Sequence, residues 1–402
     1  MTQVTVCYLA TDAYLRDWAD LLLRWLHVIA GIAWIGSSFY FIALDNHLRP
    51  PKDNRDPGIL GDAWEVHGGG FYRVLKYRVA PETLPEPLHW FKWEAYTTWL
   101  SGFALLVVLY YLDADTYLVD RTVADLGAGE AAAASMGLIA LAWFVYDGLC
   151  RVLAGREVLL AVAVLGFVAA SAYAVSELFA PRAVPIQLGA MIGTMMVGNV
   201  FFVIIPGHWE LVRAKQAGRD PDPLHGIRGK QRSVHNNYLT LPVVLAMITP
   251  HFAFVYAHDR SWLVLLALFV IGAWIRHFFN LHHAGRDVWA IPVTAAVAVV
   301  ALALAIRPDE SAPETGGTAV EFAEVAPIIE QRCATCHSAQ PTDDSFTTAP
   351  LGIVFDTPEQ IRAQADAIEE QAVRTRAMPL GNKTGMTEEE RELLGRWIRS
   401  LP

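Results

Sequence analysis

Near the C-terminus the chain reads Cys333-Ala-Thr-Cys336-His337. Two thiols three positions apart, followed at once by an imidazole, have the order that covalent haem attachment requires. The thiols add to the two vinyl groups, and the adjacent imidazole is delivered to the iron as an axial ligand. A bare C-x-x-C of a zinc or redox site is the alternative, and the surrounding segment fits haem better. A second axial ligand is expected in the same segment. Met378, in "RAMPLGNKTGMT", is the candidate and Met386 its competitor; a thioether ligand raises the haem potential, which suits an electron acceptor. The ordinary fate of either methionine is a place in the core.

A second chemical group is spread over two strings, "RGKQRSVHNNY" (228–238) and "IRHFFNLHHAGRD" (275–287). Gln231, Arg232, Asn236, Asn237, Arg276 and Asn280 have the forked donors and amides that grip a planar, anionic, donor- and acceptor-rich molecule. Phe278, Phe279, Trp90 and Trp93 offer stacking surface. Taken singly, each arginine reads as well as an interfacial anchor and each aromatic as part of an interfacial belt; the density of His, Asn and Arg at one level favours a site. His235, Arg232, Asn236 and His282 form the candidate catalytic set.

The elements that position these residues follow from composition. Of 402 residues, 54% are hydrophobic and only 18% charged, and the mean hydropathy is +0.31. That excludes an ordinary soluble protein. The net charge of −10 says little by itself because the charges are unevenly distributed, but no basic domain points to nucleic acid. Cys7 and Cys150 are isolated, so there is no disulfide framework. Eight apolar runs are predicted to span a membrane, near 18–44, 93–112, 131–149, 158–179, 184–206, 235–257, 262–280 and 288–306. Alternate connections are basic: Arg49, Arg73, Lys76 and Arg78 lie in the first, Arg213, Lys215, Arg228 and Arg232 in the fifth. The connection at 113–130 instead holds five acidic residues and one arginine, Arg121. The basic connections therefore face the cytoplasm and both chain ends lie outside. Residues 307–319, rich in Pro, Gly, Thr and acid, read as a flexible linker. Residues 320–402 return to soluble composition, with helical patterns at 320–332 and 387–400, and read as a small separate domain on the outer face.

This topology sorts the histidines by depth. His27 and His251 fall in the outer halves of their spans, and His89, His208, His235, His277, His282 and His283 near the cytoplasmic ends. Histidines from different helices at one depth can ligate a b-type haem. His27 has Gly31 on the same helical face, where a small residue lets a porphyrin lie flat; His251 is its candidate partner. A buried histidine bonded to a neighbouring helix is the competing reading. His277 is the inner candidate, with His89, His208 or His235 as partner, and His208 is carried forward with it. Residues 68–102, with three glycines, basic residues and aromatics, are expected to form an interfacial helix or a short hairpin over the cytoplasmic mouth. Gly189-x-x-x-Gly193 permits close helix packing and leaves the oligomeric state open.

"RWLHVIAGIAWIGSSFYF", "HWFKWEAYTTWLSG", "KQRSVHNNYLTLPV" and "RHFFNLHHAGRD" resemble the membrane-bound bacterial urate oxidases, which join a multi-span N-terminal domain to a C-terminal cytochrome c. The resemblance covers essentially the whole chain in the same domain order. The "MP" at 378–379 with its Gly/Asn turn and closing helix resembles class I cytochrome c. More weakly, the first span resembles membrane haem proteins of the copper-resistance D and bacterial protoporphyrinogen-oxidase type, where a histidine in a similar helix binds haem; that supports His27 and nothing further. The implied fold is all-α, an eight-span bundle (1–306), a linker (307–319) and a small all-α class I cytochrome c domain (320–402). The implied activity is oxidation of urate to 5-hydroxyisourate by dehydrogenation, with one covalent haem c and one or two haem b in the bundle. The implied location is the bacterial cytoplasmic membrane, with the haem c domain in the periplasm. The expected partners are urate, membrane lipids and a periplasmic cytochrome or terminal oxidase as electron acceptor. The base for urate would be one of the inner histidines. The rival readings are a membrane cytochrome subunit fed by quinol or a separate dehydrogenase, and a transporter carrying a redox sensor.

Overall fold

The structure, a computed structural model, describes residues 3–52, 56–307 and 320–401, with side chains from Tyr14 onward. Of the linker expected at 307–319, residues 308–319 lie outside the described residues. Among the described residues up to 307, eight main helices account for most of the chain. They are α1 (Gln3–His47), α2 (Trp93–Leu106, extended by a π turn over Val107–Tyr111), α3 (Ala128–Val152), α4 (Glu157–Ser176), α5 (Ala183–Gln216), α6 (Pro223–Ile248), α7 (Ser261–His283) and α8 (Ala290–Ala305). Five of them, α1 from Tyr14, α3, α4, α5 and α7, are long and apolar enough to cross a membrane, and α8 is a shorter apolar helix.

The bundle is built around α5, the helix with the largest buried share of its apolar stretch. Leu188, Ile192 and Met195 on α5 are fully buried against Tyr146 of α3, Ala246 of α6 and Leu265 of α7. Gly189 permits the close approach here: a Cβ on it would lie 2.7 Å from the Met247 methyl carbon and 3.1 Å from Ala246 Cβ. This glycine thus serves packing of α5 on α6 inside the chain. The outer surface stays apolar, with Trp25, Ile32, Phe144, Val158, Val297 and Leu304 exposed, while Arg232, Asn236, Asn237 and Asn199 are buried. Apolar outside and polar inside is compatible with a bundle solvated by lipid.

Several boundaries differ from the sequence expectation. The fifth run was expected to stop at Pro206, but α5 continues to Gln216. Pro206 follows a π turn (Asn199–Ile204) where the regular hydrogen-bond ladder is already reset, so the missing N–H does not end the helix. The sixth run begins a dozen residues earlier than expected. The Asp222 carboxylate caps it by accepting from Leu224 N at 2.9 Å, and Pro223 occupies the first turn. It ends at Ile248, where a 3-10 turn over Thr249–His251 takes over. The fold is not purely helical. β1 (Ile59–His67) and β2 (Gly70–Tyr77) pair antiparallel, turned by Gly68 and Gly69, both at positive φ, as a two-residue hairpin turn demands. The hairpin starts before the stretch in which one was expected, because the alternation of "ILGDAWEVH" already fits a strand. It is anchored to the end of α1: Arg49 and Asp62 exchange backbone hydrogen bonds at 2.9 Å, and Asp45 receives Lys76 at 2.5 Å and Lys230 of α6.

Residues 320–401 have a core of their own. α9 (Phe322–Arg332), α10 (Pro358–Ala363) and α11 (Glu388–Arg399) bring Val325, Ile329, Ile361, Leu394 and Trp397 together. α11 begins at Thr387, which accepts from Glu390 N while Glu390 accepts from Thr387 N, a reciprocal cap. The buried positions Arg391, Leu394, Gly395 and Ile398 then recur at three and four residues, one face of the helix. α9 and α11 coincide with the two helical patterns read in the sequence.

Candidate functional site

Two arrangements stand out: a cavity among α1, α6 and α7, and the turn that carries Cys333, Cys336 and His337.

On α7, Arg276, Phe279, Asn280 and His283 follow a three- and four-residue spacing and share one face. Asn237 and Leu241 on α6, and Phe39, Tyr40 and Ala43 on α1, oppose it. Phe39, Tyr40, Ala43, Leu241, Arg276, Phe279 and His283 line an open cavity of about 430 Å³. The Asn237 side-chain oxygen accepts from Arg276 Nε at 3.1 Å and from Asn280 Nδ2 at 2.9 Å. The Arg276 guanidinium lies 3.7 Å over the Phe39 ring. What remains is a set of buried polar atoms with no hydrogen-bond partner: Asn237 Nδ2, Arg276 Nη2, Asn280 Oδ1 and His283 Nδ1. Arg276 is 4% exposed, and among the described residues no carboxylate pairs with it. Buried polar atoms are nearly always partnered, and a buried unpaired cation is costly. Arg276 and His283 thus bring unpartnered polar atoms to a cavity wall that is otherwise aromatic and apolar. The spare atoms of Asn237 and Asn280 are grouped behind Arg276 through the Asn237 oxygen, an arrangement suited to a planar anion.

The neighbouring network is the opposite case. Arg232 donates to Asp147 of α3 at 2.6 Å and to the Asn199 oxygen of α5 at 3.0 Å. Asn199 Nδ2 donates to the Tyr146 hydroxyl at 2.9 Å and to the Asn236 oxygen at 2.8 Å, and Asn236 donates to Met196 O. His235 Nδ1 lies 2.8 Å from the Tyr146 hydroxyl. Arg232 and Asn236 are thus committed within the network and, with His235 Nδ1, tie α3, α5 and α6 together, while His235 Nε2 lies 4.0 Å from a Glu157 carboxylate oxygen. His282 is exposed and meets Asp287 at 2.5 Å, outside the cavity lining. The structure therefore gathers Arg276, Asn237 and Asn280, which the sequence placed among the gripping residues, and separates them from three of the four candidate catalytic residues by one helix face.

His27 Nδ1 is 2.9 Å from Thr98 O and 3.2 Å from the Ser101 hydroxyl, both on α2, and its ring packs on Gly102, where a Cβ would lie 2.7 Å from it. His251 is exposed in the 3-10 turn after α6. His277 Nδ1 meets the Tyr238 hydroxyl at 2.7 Å, with Trp274 stacked on its ring at 5.6 Å. His208 and His89 are exposed. Among the described residues no contact joins His27 to His251, or His277 to His208.

In the C-terminal unit the end of α9 continues as a tight turn. Cys333 N donates to Ile329 O, Cys336 N to Cys333 O and His337 N to Cys333 O at 2.9–3.2 Å. Both thiols are free, and burial pushes the Cys333 thiol up to about 12. The His337 Nδ1 hydrogen is held by Ile353 O at 3.1 Å, which leaves Nε2 as the lone-pair nitrogen. A backbone carbonyl holding the far ring nitrogen is the usual support of an iron-ligating histidine. Arg391, 5% exposed, donates to Ala372 O and to Met378 O, the latter at 2.8 Å, and so fixes the loop that carries Met378. Met386 is 3% exposed inside the core; Met378 is half-buried and outside it. Thiols, imidazole and thioether fit a covalently held haem.

A family described as urate oxidase N-terminal matches residues 13–307. The chain belongs to this family. Membership points to a urate-related oxidoreductase. No curated protein and no solved structure matches the chain. The urate oxidase N-terminal region contains the whole of α1 to α8 from residue 13, hence both the cavity and the Arg232 network, and ends before α9. Within this region the cavity's α1 wall was not identified from sequence. Phe39, Tyr40 and Ala43 sit inside the apolar string "SSFYFIA", and only the register of α1 against α7 separates them from lipid-facing neighbours. His283 reads in the sequence only as one of the inner-layer histidines, with no role of its own. Arg391 carried no sequence signal, since it reads as one more charge on an exposed helix.

Proposed function

We propose that this chain is a membrane-bound urate dehydrogenase, with an eight-span domain (1–306), a linker (307–319) and a periplasmic cytochrome c domain (320–402). The observation that carries the reading is the cavity of α1, α6 and α7 with the unpartnered Arg276 Nη2 and His283 Nδ1 on its wall. Behind Arg276, the Asn237 oxygen joins it to Asn280, and the spare atoms of this group complement a planar anion bearing carbonyls and ring N–H groups. In this reading urate enters from the side of the basic connections. Arg276 Nη2 and Asn237 Nδ2 donate to its carbonyl oxygens, Asn280 Oδ1 accepts a ring N–H, and Phe39 and Phe279 flank the ring. Urate monoanion and water yield 5-hydroxyisourate, one proton and two electrons. His283, whose Nδ1 is free at the cavity wall, is placed to take the proton.

Cys333 and Cys336 would hold haem c as thioethers, with His337 and Met378 as axial ligands; when bound, it supplies a one-electron site at raised potential. For haem b in the bundle, His27 is the best-supported ligand. Its Nδ1 is tied to Thr98 O, as that of His337 is tied to Ile353 O, which leaves Nε2 free. His251 remains its proposed partner in the outer layer, and His277 with His208 the proposed inner-layer pair. Electrons would leave to a periplasmic cytochrome or terminal oxidase.

The test is anaerobic addition of urate to the purified full-length protein with haems quantified, beside an Arg276→Gln variant. Urate should reduce the haems of the wild type. The variant should bind urate roughly ten- to hundredfold more weakly, the loss of a charged hydrogen bond worth about 1.5–3 kcal/mol, with unchanged haem content. Haems that dithionite reduces and urate does not would sink the proposal and favour an electron-transfer subunit. Unaltered urate affinity in the variant would move the site elsewhere.

A further inference from the structure

The segment between α2 and α3 is an acidic ledge at the end of the bundle opposite the hairpin, and the C-terminal unit rests on it. Thr116, 2% exposed, is the centre of the contact. Its hydroxyl is 2.8 Å from the Ser345 hydroxyl and receives Lys383 Nζ at 2.8 Å. Ser345 also donates to Asp113 at 3.2 Å, and Lys383 is paired with Asp343 at 2.9 Å. Beside this polar latch lies a close fit. Gly381, at φ +54, approaches so closely that a Cβ there would lie 2.5 Å from Val119 O and 3.4 Å from Thr116 O. A narrow gap follows, in which Arg376, Ala377 and Pro379 face Tyr117, Arg182 and Tyr256. Tyr117 in turn pairs edge-on with Tyr110 inside the bundle, ring centroids 6.2 Å apart.

Two features make this more than incidental packing. The ledge contacts the loop that carries Met378 and the loop that follows Cys336 and His337, so both strands of the would-be haem crevice touch it. The contact is also keyed: a glycine in a conformation most residues avoid sits where any side chain would strike the opposing backbone. We propose that residues 113–120 are the docking site of the C-terminal unit, with Lys383 and Gly381 as positioning residues that set its Met378 edge over Tyr117 for electron entry. This rests on the function proposed above. On that reading the contact would hold the two units in register so that single electrons could pass from a one-electron carrier of the bundle, oxidised in the step, to the haem that Cys333, Cys336 and His337 would hold, reduced in it, with no bond made or broken.

The decisive variant is Thr116→Arg, which lies on the ledge, leaves the C-terminal unit's own residues intact and sets a second cation against Lys383. Gly381→Val attacks the same contact from the other side. Both are made in the full-length holoprotein. Amide hydrogen exchange should rise at 116–119 and at 380–383 in both variants. Urate-driven reduction of the C-terminal haem should slow at least tenfold, while its dithionite-reduced spectrum stays that of the wild type. Unchanged exchange in Thr116→Arg would mean that the ledge does not hold the unit. Raised exchange with an unaltered reduction rate would mean that the ledge is not the electron entry; either result overturns the proposal. If wild-type protein gave no urate-driven reduction, the proposed function would fall, while the exchange comparison would still decide the docking.

Discussion

Residues of the same type end in opposite roles here, and their surroundings decide which. Met386 is 3% exposed among Val325, Ile329 and Leu394, whereas the Met378 loop is held through its backbone by Arg391. Met386→Ala should therefore destabilise the C-terminal unit by about 2–5 kcal/mol, the usual cost of emptying a buried methionine site. Met378→Leu should leave denaturant unfolding nearly unchanged and lower the haem midpoint potential. Unfolding curves and a redox titration of the two variants separate these outcomes, and the reverse pattern would make Met386 the ligand. Asn236 and Asn237 make the same point. Consecutive helix positions point about 100° apart, so Asn236 bonds to α5 and Asn237 to α7. The string "VHNNY" shows that both amides are unusual in an apolar span. It does not show which neighbour each will meet, because that depends on the rotation of α6 about its axis. The gripping residues were thus legible as a group, and their division into a tie and a site was not.

The elements divide in the same way. α3, α5 and α6 are joined by the Arg232, Asp147, Asn199 and Tyr146 network, in which Arg232 is 5% exposed. Removing one partner of a buried pair leaves an uncompensated charge, at a cost of about 3–5 kcal/mol. Asp147→Ala should lower thermal stability in detergent by that order while the folded fraction keeps its urate affinity; lost affinity in well-folded protein would return Arg232 to the substrate site. The existence of the helices was legible because apolar runs of this length have few alternatives. Their ends were not, where local devices override hydropathy. The π turn carries α5 past Pro206, Asp222 starts α6 in a polar stretch, and the 3-10 turn takes His251 out of the helix. The stretch from 68 read equally as an interfacial helix or a short hairpin, and the first strand lies before it, hidden in a stretch rich in charge.

At the scale of the molecule the bundle and residues 320–401 each have hydrophobic clusters of their own among the described residues, joined through a contact made largely of polar groups. Separate cores with a small polar interface should unfold in separate transitions. Acid should act on the C-terminal one through identifiable carboxylates. Partial burial alone would raise the Glu390 carboxyl, but Arg332, which reaches it through Nε and Nη2, together with the Thr387 amide and Arg391 outweighs burial and holds it below its ordinary 4.5. Asp343 is likewise held below its ordinary 3.8, where Lys383 and the Ser345 amide overcome burial. Folded-state values below the unfolded ones mean that the unfolded chain binds the proton more readily. The stabilisation is therefore complete above about 4.5 and is lost as the pH falls through the lowered folded values. Visible circular dichroism at the haem of the full-length holoprotein, followed on heating from pH 7 to pH 3, should show a C-terminal transition that is level down to about pH 4.5 and then falls. Glu390→Gln should lower that transition at pH 7 and flatten its fall in acid, since the group that loses its charge is already gone. If the acid fall keeps its full depth in that variant, other carboxylates govern the acid sensitivity of the unit.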